Sequence, residues 1–105
     1  MEEEVLKEFV KRVKEKYGDK VEKIILFGSY ARGKVREESD IDMLIITKTE
    51  DFKMRREIAG IAFDLLLKTK KYISAKVISK SDYEQLRETQ TSFIKNVTAE
   101  GIVLG

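Results

Sequence analysis

The sequence predicts an α/β domain of the α+β kind, a small mixed sheet of three to four strands with helices packed on it. Three observations lead there. The runs Ile24-Ile25-Leu26-Phe27 and Met43-Leu44-Ile45-Ile46 are apolar at every position, as strands covered on both faces are. Around them lie segments whose apolar residues recur at helical spacing. No repeat, low-complexity tract or linker divides the 105 residues, so a single domain over residues 1–105 is expected, with one modest core.

The elements follow in order. Val5, Leu6, Phe9, Val10, Val13 and Tyr17 define an amphipathic helix that Gly18 can end. Residues 21–27 read as a buried strand closed by Gly28-Ser29, and residues 40–47 as a central one. After a polar turn at 48–51, residues 52–70 read as a helix with Ile58, Ile61, Ala62, Leu65 and Leu66 inward. Residues 72–79 alternate, with Ile73, Ala75 and Val77 on one face, and form a third strand. Ser81-Asp82-Tyr83-Glu84 has the form of a capping box and predicts a short helix beginning there. One or two helical turns over 93–99 and a small edge strand at 102–104 complete the chain.

Composition narrows the chemistry. The charged fraction is 38%, yet the signs nearly cancel at +2. Neither that balance nor any basic stripe with interleaved aromatics favours direct nucleic-acid binding. Without Cys or His there is no thiolate nucleophile and no imidazole base. A metal must then take oxygen ligands, which favours Mg²⁺ or Mn²⁺ over zinc. Many Lys and Glu with no Cys lean toward a thermophilic protein. The start Met1-Glu2-Glu3-Glu4 is too acidic for a signal peptide, and no apolar run approaches membrane-spanning length. A cytoplasmic protein is expected.

The most informative stretch joins the two apolar strands. Ten residues separate Gly28-Ser29 from Asp40-Ile41-Asp42. In an extended strand residues i and i+2 share a face, so Asp40 and Asp42 project side by side, roughly 7 Å apart at the backbone. Two such carboxylates suit Mg²⁺, with water and phosphate oxygens completing the shell. Gly28 allows a sharp turn and close approach to a ligand, and Ser29 offers a hydroxyl at a turn whose N–H groups can face an anion. Arg32, Lys34 and Arg36 in the same polar loop could neutralise phosphate, Arg with two parallel hydrogen bonds. Either fragment alone is a common turn or strand start, and a solvated loop is the ordinary place for such cations. Together, between two core strands, the fragments point to phosphoryl or nucleotidyl chemistry. Gly28-x-x-x-x-Gly33-Lys34 also matches most of a P-loop, but Val35 replaces the required Ser or Thr and no apolar-faced helix follows.

Gly28-Ser29, ten residues and then Asp40-x-Asp42 closely resembles the signature of the DNA polymerase β-like nucleotidyltransferase superfamily. The size and element order are similar to its minimal, HEPN-associated members. The resemblance implies a nucleotidyltransferase fold that binds a nucleoside triphosphate, usually ATP, with Mg²⁺ and transfers the nucleoside monophosphate to a hydroxyl. It also implies a small helical HEPN partner, a toxin that an antitoxin of this type adenylylates. Carried over by position, Gly28 and Ser29 would bind the triphosphate. Asp40 and Asp42 would be the catalytic, metal-holding carboxylates, and Arg32 the best side chain for a phosphate contact.

One departure stands out. Catalytic members usually have a third carboxylate on a later strand beside the Asp-x-Asp strand. The matching strand here, residues 72–79, has no Asp or Glu and carries Lys76. Asp64 falls inside a helix pattern, and Asp82 and Glu84 suit the first turn of a helix. An alternative reading follows: a weak or inactive nucleotidyltransferase fold that neutralises a HEPN toxin by contact.

Overall fold

A computed structural model describes residues 2–28, 31, 40–49 and 51–105. Along the chain run α1 (Glu2–Tyr17), a 3-10 turn (Gly18–Lys20), β1 (Val21–Phe27), β2 (Ile41–Thr47), α2 (Phe52–Thr69), β3 (Ile73–Ser79), α3 (Lys80–Thr89), α4 (Ser92–Glu100) and β4 (Ile102–Val103). The strands form one mixed sheet in the order β3-β2-β1-β4. β1 pairs antiparallel with both β2 and β4, while β2 and β3 are parallel. A parallel pair needs a long crossover, and α2 supplies it.

Side-chain alternation sorts the core into two layers. Ile24 and Leu26 of β1, Ile41, Met43 and Ile45 of β2, and Ile73 and Val77 of β3 face α1 and α2. On the other side, Ile25 and Phe27 of β1 join Leu44 and Ile46 of β2 against Val97, Phe93 and Tyr83 of α3 and α4. This two-sided cover explains the unbroken apolar runs. In β2 every residue is buried except Asp42.

Most elements lie where their patterns place them, and the sheet has four strands. One start differs. α3 begins at Lys80, capped by Ser79, whose hydroxyl accepts from the Asp82 N–H at 3.1 Å. The box expected at Ser81 is not the cap. Ser79-x-x-Asp82 has equivalent spacing, and Ser79 is still extended at φ −76°, ψ 157°, so β3 passes into the helix without a loop. The one or two turns expected over 93–99 are a nine-residue helix, capped by Thr91 through the Ile94 N–H. Asp51 caps α2 in the same way, accepting from the Met54 N–H.

Polar contacts tie α1 to α2. Arg12 pairs with Asp64 at 2.8 Å, the Tyr17 hydroxyl donates to Glu57 at 2.7 Å, and Lys16 meets Glu57 at 3.1 Å. Tyr17 holds the Glu57 carboxyl below its ordinary value of 4.5, helped by Lys16; Arg12 and then Lys68 do the same for Asp64, from 3.8. Depressed carboxyls stabilise the fold above their unfolded pKa and lose that contribution as pH falls through the folded one. The thermal midpoint should therefore decline as pH drops below about 4.5. A Glu57→Gln/Asp64→Asn variant should show a shallower decline over the same interval in calorimetry.

Candidate active site

The expected site residues divide into those the structure describes and those it does not. Gly28, Asp40 and Asp42 are described; Ser29, Arg32, Lys34 and Arg36 lie outside the described residues. Strand register brings the described three together. Phe27 pairs with Asp42 across the antiparallel β1–β2 ladder, which sets Gly28 at the mouth of β2. Ile41 is fully buried and its N–H donates to the Tyr72 carbonyl at 2.9 Å, so the backbone between the two aspartates is fixed. Asp42 is half-buried and Asp40 exposed.

Gly28 and Asp42 are in intimate contact. Gly28 has φ +75°, and a Cβ built on it would lie 2.3 Å from Asp42 Oδ2. The residue is thus glycine for two reasons, a left-handed backbone and a carboxylate where a side chain would stand. Asp42 shares its face of the sheet with Phe27 and Leu44. Phe27, the ladder partner of Asp42, makes an edge-to-face contact with Phe93 of α4, with ring centroids 5.4 Å apart.

The profile of the polymerase β nucleotidyltransferase family matches residues 7–105. The chain belongs to that family. A Methanocaldococcus jannaschii protein provisionally named a protein adenylyltransferase is 45% identical to this nucleotidyltransferase, over 98% of this chain and 97% of its own. A second, also provisionally so named from that organism, is 39% identical over 94% of both. Among solved structures, a chain of a toxin–antitoxin complex with AMP-PNP resembles the nucleotidyltransferase with a TM-score of 0.59 at 24% identity, covering 93% of this chain and 71% of that one. A chain from the complex of tri-AMPylated Shewanella oneidensis HEPN toxin with MNT antitoxin resembles it at 0.56 and 20% identity, over 100% and 72%. These two likenesses show the fold.

Register also shows what stands beside Asp42 on β3. In the parallel β2–β3 pair, Asp42 stands opposite Ser74 and Leu44 opposite Lys76. The position beside Asp42 on β3 is therefore a hydroxyl, and Lys76 lies on the same face one pleat further on. Asp64 is no substitute, since α2 covers the opposite face and Asp64 is held there by Arg12 and Lys68. Asp82 sits in the first turn of α3, as expected, whereas Glu84 falls beyond that turn because the helix starts at Lys80. Among the described residues no group of three potential ligands could hold a metal. Among the described residues, Asp40 and Asp42 are the two carboxylates at this end of β2, a donor set of the kind that can bind Mg²⁺ when water and phosphate oxygens complete the shell. Sequence reasoning missed Phe93, whose spacing marked only a helix, and the contact of Gly28 with Asp42, which required the strand pairing. Among the described residues, no helix is long and apolar enough to cross a membrane.

Proposed function

We propose that this chain, acting as one nucleotidyltransferase domain, transfers AMP from ATP to a hydroxyl on a partner protein of the HEPN type. The observation that carries the reading is the closed contact of Gly28 with Asp42 at the mouth of β2, with Asp40 one pleat away. Family membership, and relatives provisionally named protein adenylyltransferases over nearly the whole chain, support it.

Asp40 and Asp42 would hold Mg²⁺, which when bound offsets the negative charge of the phosphate oxygens. The chain's own part is placement. Ile41 locks the strand, Gly28 leaves room for the Asp42 carboxylate, and Ser29 and Arg32 would bind the triphosphate. The acceptor hydroxyl attacks the α-phosphorus in line, its proton passes to water and pyrophosphate leaves, with positioning and charge the main sources of rate. Incubation with α-labelled ATP, Mg²⁺ and the HEPN-domain protein of its own genome tests this. Label should pass to that protein; no transfer under any metal condition would overturn the reading.

A second reading is favoured by Ser74. With a hydroxyl where a third carboxylate could stand, the fold could serve by contact alone, with nucleotide binding weak. Ser74→Asp distinguishes the two. For an active enzyme the added ligand should lower half-saturating Mg²⁺ on the order of tenfold, because affinity follows ligand charge count. For a contact module the change should leave neutralisation of the partner untouched and raise no transfer.

A further inference from the structure

α2 buries one stripe, Met54, Ile58, Ile61, Ala62 and Leu65, against the sheet and α1. It carries a second apolar stripe on the outside. Phe52, Phe63 and Leu67 are 66%, 56% and 64% exposed. At 100° per residue these three, with Arg56, Ala59 and Gly60, fall within an arc of about 100° and run about 22 Å along the helix. Scattered exposed apolar residues need no explanation, whereas a row of them marks an interaction surface. Its middle is open, since a Cβ on Gly60 would meet nothing within 4 Å.

Charge says what kind of partner fits. The two acids of α2 are both turned to the α1 side, Glu57 to Tyr17 and Lys16, Asp64 to Arg12 and Lys68. Arg56 lies within the stripe itself, and Lys53 beside it and Lys70 at its end are exposed and likewise positive. A partner with an apolar centre and an acidic margin is complementary to it. A second copy of this chain would bring like charges together. Phe63 and Leu67, at i and i+4, match a helix laid into an apolar groove.

We propose that the outward face of α2 is where the acceptor protein docks, through an apolar groove with an acidic rim. The proposal rests on the adenylyltransferase reading above and adds the surface and the partner's chemistry. Position supports it. α2 leads back to β3, which begins beside the start of β2, and the Tyr72 carbonyl accepts from Ile41 between the two aspartates. The Leu67 end of the stripe thus lies at the site's end of the sheet. The stripe is on the opposite face from Asp42, so a protein seated there reaches the mouth from its edge and leaves the carboxylates open to ATP.

The test uses the full chain and the purified HEPN-domain protein of its genome. Phe63→Glu/Leu67→Glu should weaken binding about tenfold or more, with Arg56→Glu acting in the same direction. Affinity for an ATP analogue and the thermal midpoint should stay near wild type, because the changed positions are exposed. Failure of the wild type to bind that protein, or equal binding by the double variant, would overturn the proposal. So would wild-type self-association that the variant abolishes, or RNA binding lost by the variant while HEPN binding persists. The two readings separate cleanly. Docking through the stripe without any label transfer ends the catalytic reading and keeps this one; transfer undiminished in the double variant does the reverse.

Discussion

Asp42→Asn should lower AMP transfer on the order of 10³-fold, the scale expected when charge stabilisation at a transferring phosphoryl group is removed. The substitution keeps the shape of the side chain against Gly28, removes its charge and turns one acceptor oxygen into an amide donor. Ile41 remains buried and β2 keeps its pairing on both sides, so the change in folding stability should stay within about 1 kcal/mol. Transfer of α-label at saturating ATP, with a thermal melt of the same sample, reads both. A variant that retains a tenth of the activity would remove Asp42 from the catalytic set.

Gly28→Ala should combine two costs. A non-glycine residue at φ +75° is destabilised by about 1–2 kcal/mol. The new methyl would also occupy the place of Asp42 Oδ2, and either the strand end or the carboxylate must move. Displacement of a reacting group by about 1 Å costs on the order of 10²-fold in rate. Activity should therefore fall far more than the melting point suggests. Gly18→Ala is the matched control, because Gly18 also has positive φ but a Cβ there meets nothing within 4 Å. It should share the loss of stability and spare the activity. Equal activity in the two variants would show that the contact with Asp42 is incidental.

The fold was legible because Ile24 to Phe27 and Met43 to Ile46 are buried on both faces of the sheet and so run unbroken in apolar residues. Val21–Phe27 and Ile41–Thr47 could be read from composition alone. The start of α3 was harder, because Ser79 and Ser81 offer competing caps two residues apart and only the extended backbone at Ser79 decides between them. The aspartates were visible through their alternation with Ile41. What the sequence could not convey is which residue lies across a ladder. The pairing of Phe27 with Asp42 and of Asp42 with Ser74 depends on strand order and register. Those pairings turn Gly28 from a permissive turn into a neighbour of the carboxylate, and a missing acid into a specific serine.

The burial of β2 has a consequence for how activity is lost on warming or in denaturant. The amides of Leu44 and Ile45 lie in the middle of the sheet, paired to both neighbours, and should exchange hydrogen only when the whole protein opens. Asp42 is carried on that same strand, two residues away. Partial openings that fray β4, a two-residue strand at the sheet's margin, should leave the carboxylate in place. The acid would then vanish from the site only with the cooperative unit that contains it, so its disappearance marks the last step of unfolding rather than the first.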